Sequence, residues 1–304
     1  MRLRPFAVAS LAVLGIAGLA ACAPTDKNSD SPTVTTSAAG SGSGSGAASS
    51  SSADTSCDKA NLALHTAGTF TVATDNPAYE PWFSGNKPSN GKGFESAVAY
   101  AVATKLGFSQ DEVKWVTASF NSVIAPTPKN FDVDINEVSI SDQRKKAVDF
   151  STGYYDVAQA VITYKGSKIA SAKSLADLKG AKLGAQVGTT SYSTITDTIK
   201  PSSAPAVFDT NDLAVQALKN KQVDGLVVDL PTGFYITAAE LDGGLIVGQI
   251  PAGANPEQFG FVLEKGSKLT SCVSQAVDAL RADGTLDKLK EQWLATAGNA
   301  PDLS

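Results

Sequence analysis

Ser139-Ile140-Ser141-Asp142-Gln143-Arg144 leads into Val148-Asp149-Phe150-Ser151, then Tyr154-Tyr155, then the β-rich run Val157 to Tyr164. Just before it, Phe131-Asp132-Val133-Asp134-Ile135 alternates apolar and polar residues, the period of a half-buried strand. A polar, charged turn thus lies between two strand signals. The same alternation of elements extends in both directions. Upstream, Thr69 to Thr74 reads as a strand ending at Asp75-Asn76-Pro77, Phe94 to Leu106 as a helix stopped by Gly107, and Val113 to Val116 as a short strand. Downstream come a short helix at Ser174 to Leu178, a strand from Ala181 to Val187 entering Gly188-Thr189-Thr190, and a helix at Leu213 to Leu218. A buried strand at Gly225 to Val228 and a strand at Phe259 to Leu263 follow, then helices at Leu269 to Ala282 and Thr285 to Leu294. Strands alternating with helices predict an α/β fold with largely parallel sheets. There is no internal repeat.

The 304-residue chain begins with an export address. Arg2 and Arg4 form a basic start, Phe6 to Ala20 is apolar but short for a membrane span, and Leu19-Ala20-Ala21-Cys22 resembles a bacterial lipobox. Residues 1–21 therefore read as a signal peptide, with Cys22 lipidated after cleavage. An ordinary secretory signal or a single anchor helix is the alternative. Residues 22–56 are dominated by Ser, Gly, Ala and Thr and have no apolar period to bury, so they read as a disordered linker with a reach of roughly 30 Å. Residues 57–304 suffice for a large core. The formal charge of −5 argues against nucleic acid as a partner. Of three cysteines, Cys57 and Cys272 remain once Cys22 is lipidated. In an oxidising compartment they are expected to pair, two buried thiols being the alternative.

Several features resemble chemistry without supporting it. Gly85 to Lys92 misses a phosphate-binding loop by one residue of spacing, and Gly93 stands where a magnesium-binding hydroxyl belongs. His65 is the only histidine and precedes the first core strand, and no Cys-x-x-Cys or Gly-x-Ser-x-Gly occurs. The usual equipment for zinc or serine-nucleophile chemistry is missing, so no metal or other cofactor is expected.

Six segments in order resemble the family 3 extracellular solute-binding proteins, the amino-acid receptors of ABC importers. They are Thr74 to Trp82, Gly93 to Ala97, Ser139 to Tyr155 as quoted above, Gln186 to Thr190, Val223 to Asp229, and Leu280 to Leu286 with Trp293. The resemblance implies two α/β lobes of the type II periplasmic-binding fold, joined by two crossing strands, with a ligand cleft between them. The first lobe would comprise 57–156 and 261–304, the second 157–260. It further implies a monomeric, non-enzymatic receptor, lipid-anchored to the outer face of the cell membrane, whose partners are a free amino acid and an importer's permease and ATPase.

The residue types fit a zwitterion. Arg144 can grip a carboxylate with two parallel hydrogen bonds. Thr189 and Thr190, where a strand turns into a helix, offer backbone N–H groups to the same anion. Asp229 ends an apolar strand and can meet the ammonium, and Ser139 can bridge. Tyr79 and Phe120 resemble the family's aromatic pair around the ligand side chain. Each residue has a plainer role open to it: a solvated helix face for Arg144, helix caps for Thr189, Thr190 and Asp229, lid packing for Tyr79, core for Phe120. Glu137 departs from the family's small residue at that position. With Asp75 it hints at a basic or amide side chain, unless it faces a lysine or solvent. Two rivals remain: a dehydratase of small carboxylic acids with Glu137 as general acid, and a surface amino-acid sensor without an importer.

Overall fold

The computed structural model describes residues 57–304 except 252, 254, 296, 297 and 299. The expected signal peptide, the lipidation site Cys22 and the linker to residue 56 lie outside the described residues. No helix among the described residues is long and apolar enough to cross a membrane.

The strands are β1 (Phe70–Thr74), β2 (Val113–Thr117), β3 (Val133–Asp134), β4 (Val148–Phe150), β5 (Tyr155–Val157), β6 (Gln159–Tyr164), β7 (Leu183–Gln186), β8 (Ala206–Phe208), β9 (Gly225–Asp229), β10 (Gly244–Gln249), β11 (Glu257–Phe259) and β12 (Val262–Glu264). The α-helices are α1 (Phe94–Lys105), α2 (Phe120–Ile124), α3 (Thr190–Ser193), α4 (Asn211–Lys219), α5 (Leu230–Tyr235), α6 (Thr270–Ala282) and α7 (Thr285–Leu294). Two five-stranded sheets form, in the orders β2-β1-β3-β12-β4 and β10-β6-β9-β7-β8. Between them the antiparallel pair β5 and β11 forms a separate two-stranded ladder. These are the two lobes of an α/β type II binding-protein fold and the strands that cross between them.

The sheets are mixed rather than largely parallel. β1 runs parallel to β2 and β3, and β7 parallel to β8 and β9, but β12 and β6 are antiparallel to their neighbours. The antiparallel members are those that enter directly from the crossing strands, with no helical crossover to impose a parallel direction. The runs expected at Val157 to Tyr164 and Phe259 to Leu263 are each broken, at Ala158 and at Gly260-Phe261, where the chain passes between the ladder and a sheet.

Each sheet is covered by helices because its strands carry apolar residues toward both faces. Val161 and Val227 meet Leu183, Ile195 and Ile199 in one cluster, while their neighbours Ile162, Leu226 and Val228 meet Leu218 and Ile236 in another. In the first lobe Val98 and Val102 of α1 share a core with Val273, Val277 and Leu280 of α6. Gly93 sets the start of α1. At φ +95° its backbone lies so close to Trp82 that a Cβ would stand 2.4 Å from the Trp82 carbonyl oxygen, which accepts the Glu95 N–H. Trp82 in turn packs edge-on against Tyr155 of β5 and Phe259 of β11, each with ring centroids 5.4 Å away, fixing the crossing strands to the first lobe. Cys57 and Cys272 are joined by a disulfide that ties the start of the described chain to α6.

The expected lobe division is corrected at the chain's end. The last residues do not belong with the first lobe. Leu303, 1% exposed, packs with Val161, Ile169 and Val247 of the second, and Gln249 of β10 exchanges backbone hydrogen bonds with Pro301 and Leu303. Leu303, nine residues beyond the end of α7 at Leu294, had no partner in sequence, and the open edge of β10 supplies one.

Candidate functional site

A cleft partly open to solvent lies between the lobes. All nine ligand-binding candidates from the sequence line it: Asp75, Tyr79, Phe120, Glu137, Ser139 and Arg144 from the first lobe, Thr189, Thr190 and Asp229 from the second. Their positions follow from the topology, because loops at the C-terminal ends of the parallel strands converge where the lobes face each other.

Arg144 stands in a single helical turn just before β4 and is 8% exposed. Its Nη1 donates to the Ser139 carbonyl at 2.6 Å, and its Nη2 crosses to the other lobe, donating to the Gly188 carbonyl at 3.0 Å. The Phe120 ring centroid lies 5.3 Å from Cζ, so Phe120 is seated against the guanidinium. Its place beside the cation refines the expectation that it packs on a ligand side chain. Burial lowers the guanidinium's pKa from its ordinary value, and Glu257 and Asp229 oppose that shift. The solvated-face reading of Arg144 does not survive, since a guanidinium this buried needs partners.

Asp229 ends β9 and precedes α5, yet its carboxylate does not cap that helix. It accepts from Gln159 Nε2 at 2.6 Å instead. Burial, then the nearby Glu257 carboxylate, raises Asp229 well above the usual carboxylate range. Thr189 does cap α3: its hydroxyl accepts from Tyr192 N at 3.2 Å and donates to the Gln186 carbonyl at 2.7 Å. That leaves its side chain occupied and makes the turn a rigid backbone corner. Asp75 takes the N–H of Asn76 at 2.7 Å and of Phe120 at 3.1 Å, so it anchors the start of α2 as well as facing the cleft.

Glu137 faces the cleft rather than a lysine. Its backbone has φ +54°, and its N–H donates to Glu95 Oε1 at 2.7 Å. Its carboxylate accepts from Thr232 Oγ1 at 3.0 Å, and Thr232 accepts from Trp82 Nε1 at 2.8 Å. Burial and the Glu95 and Asp229 carboxylates raise Glu137 well above its ordinary range. Glu95, fully buried and hydrogen-bonded by Tyr154, is raised to about 7, chiefly by burial. Burial, with the Asp212 carboxylate next, pushes the Tyr79 hydroxyl up as well.

Three residues that hydrogen-bond to the cleft lining were not legible from the sequence. Gln159 of β6, 5% exposed, accepts from Ser191 Oγ at 2.7 Å and donates to both Asp229 and Glu257. Glu257 of β11 accepts from the hydroxyls of Ser139 and Thr190. Thr232 joins the lobes through Trp82 and Glu137. The available signal was a lone polar residue inside or beside an apolar run, as Gln159 is in Val157 to Tyr164. Among the described residues, no group of three or more His, Cys, Asp or Glu side chains is placed to hold a metal ion.

The sequence profile of the bacterial extracellular solute-binding proteins, family 3, matches residues 70–296. The chain belongs to this family. Among its relatives is the arginine-binding extracellular protein ArtP of Bacillus subtilis (strain 168), 28% identical over 79% of this chain and 91% of ArtP. An ancestral arginine-binding protein solved with arginine bound is 34% identical over 74% of this chain and 98% of its own, with a TM-score of 0.62. The ancestral amino acid-binding protein AncCDT-1, a precursor of cyclohexadienyl dehydratase, is 30% identical over 74% of this chain and 95% of its own, with a TM-score of 0.59. All three are binding proteins by name. As a family 3 solute-binding protein, this chain carries its cleft where two lobes meet on either side of crossing strands.

Proposed function

We propose that this protein captures a free amino acid outside the cell and presents it, in the closed form, to the permease of an ABC importer. The observation that carries the reading is that Arg144 of the first lobe and Asp229 of the second line one cleft. A zwitterion places its carboxylate on the Arg144 guanidinium and on the Thr189 and Thr190 backbone, and its ammonium on Asp229 with Ser139 bridging. Neither lobe alone makes all of these contacts, so the ligand stabilises the closed arrangement by its difference in affinity for open and closed forms.

A basic side chain suits the rest of the cleft. Asp75, Glu137 and Asp229 oppose the single guanidinium of Arg144, and buried carboxylates are costly without a cation. The names of ArtP and the ancestral arginine binder agree with this direction. Cys22 is the proposed anchor, holding a monomer at the outer membrane face through the linker. No cofactor enters, because closure moves the ligand without altering a bond.

A thermal-shift screen of the twenty amino acids tests the reading, since tight binding to the folded state raises the melting point. A shift with one or a few amino acids, basic ones foremost, is the expected result, and none with any amino acid would contradict it. The raised Glu137 also keeps the dehydratase reading in play. Recovery of the bound ligand unchanged after prolonged incubation decides against it.

A further inference from the structure

We propose that Glu257, on the crossing strand β11, is a positioning residue that turns the hydroxyls of Ser139 and Thr190 into acceptors aimed at a ligand ammonium. The inference rests on the amino-acid reading above and assigns a role to a residue outside the sequence-derived site.

Glu257 Oε1 accepts from Ser139 Oγ and, at 2.6 Å, from Thr190 Oγ1. The two hydroxyl oxygens stand 3.3 Å apart. Ser139 follows β3 in the first lobe, Thr190 opens α3 in the second, and Glu257 lies on the ladder between them. A hydroxyl owns one proton, and an ionised carboxylate can only accept. Both protons are therefore spent on Glu257, and what the two oxygens can still present to the cleft is lone pairs.

The neighbouring amide is fixed in the same sense. Ser191 Oγ donates to Gln159 Oε1 at 2.7 Å, which orients the Gln159 NH₂ toward Asp229 Oδ1 at 2.6 Å and Glu257 Oε2 at 3.2 Å. Its donors thus face the Asp229 and Glu257 carboxylates most closely, with the Thr190 hydroxyl oxygen a longer contact at 3.4 Å. Around this point the cleft offers the acceptors of Ser139, Thr190 and Asp229, which match the three N–H donors of an ammonium and repel a carboxylate. Thr190 then serves both poles: its backbone faces the anion, its hydroxyl the cation.

The test is calorimetric titration of wild type, E257Q and E257D with two probes, L-arginine and 5-guanidinopentanoate, the same molecule without its ammonium. E257Q should weaken L-arginine roughly 10- to 100-fold and change 5-guanidinopentanoate less than about threefold, because the amide's NH₂ forces one hydroxyl to turn round. E257D should recover part of the loss. Equal losses for both probes, or no loss for L-arginine, would overturn the proposal. If wild type ignores L-arginine, the pair L-glutamine and 4-carbamoylbutanoate replaces it. Wild-type silence toward every amino acid overturns the functional reading instead, and Glu257 is then judged without ligand. Because it joins hydroxyls of opposite lobes, E257A should enlarge the radius of gyration of the free protein in small-angle scattering. An unchanged radius would overturn the proposal.

Discussion

Replacing Arg144 with methionine isolates the carboxylate pole. The guanidinium has five N–H groups. Two serve the carbonyls of Ser139 and Gly188, leaving three for a ligand carboxylate. Two charge-assisted hydrogen bonds contribute about 1.5–3 kcal/mol each, and each 1.4 kcal/mol is a factor of ten in affinity. Their loss, with the ligand carboxylate left unpaired in the cleft, predicts affinity about a thousandfold weaker. The fold should tolerate the change. Methionine has a similar reach and packs against Phe120, and burial already penalises the charge it removes. The melting point of the ligand-free variant should therefore stay within a few degrees of wild type while calorimetric titration shows the loss. Affinity within about fivefold of wild type would refute the reasoning, because a residue carrying two charge-assisted bonds cannot be removed at so small a cost.

Thr232→Val removes the hydroxyl between Trp82 Nε1 and Glu137 and leaves the buried indole N–H unpaired in the closed form; ligand affinity should fall about 5- to 150-fold by titration, the equivalent of about 1–3 kcal/mol. Glu95, at about 7, and Glu137 and Asp229, held above the ordinary range, have folded pKa values above their unfolded ones, so their contribution is present below about pH 4.5 and lost as pH rises through the folded values. The ligand-free melting point should fall between pH 5 and 8, and Glu112 and Asp283, held at about 2, act in the opposite direction only below that window. An ammonium ligand favours ionised Asp229, so affinity should rise over the same pH interval and binding should release protons to the buffer. Changing both Cys57 and Cys272 to serine frees a cross-link spanning 215 residues of sequence, and denaturant unfolding should show a loss of about 3–5 kcal/mol with ligand affinity little changed.

The sequence exposed the site wherever a residue's chemistry and its place at a strand end coincided. Arg144 after a polar turn and Asp229 at the end of an apolar strand both point into the cleft for that reason. Glu257 and Gln159 were hidden because their partners lie far along the chain: Glu257 meets Ser139 at a separation of 118 residues, and Gln159 meets Asp229 at 70. The crossing strand β11 brings Glu257 to Ser139, and the pairing of β6 with β9 sets Gln159 opposite Asp229; pattern reading within a window cannot see either. The breaks at Ala158 and Gly260 were hidden for a related reason, since each continues an apolar run through a change of sheet. Leu303 was misplaced because nothing near it in sequence reveals the open edge of β10. Thr189 takes the capping role the sequence left open to it, through its hydroxyl, and the anion-binding reading concerned its backbone N–H.

A crystal structure with the amino acid that gives the largest thermal shift tests the central claim most directly. The account predicts the ligand's carboxylate oxygens about 3 Å from the Arg144 guanidinium and its ammonium about 3 Å from an Asp229 oxygen, with both lobes in contact with one molecule. A ligand held by a single lobe, or lying with its ammonium toward Arg144, would contradict it.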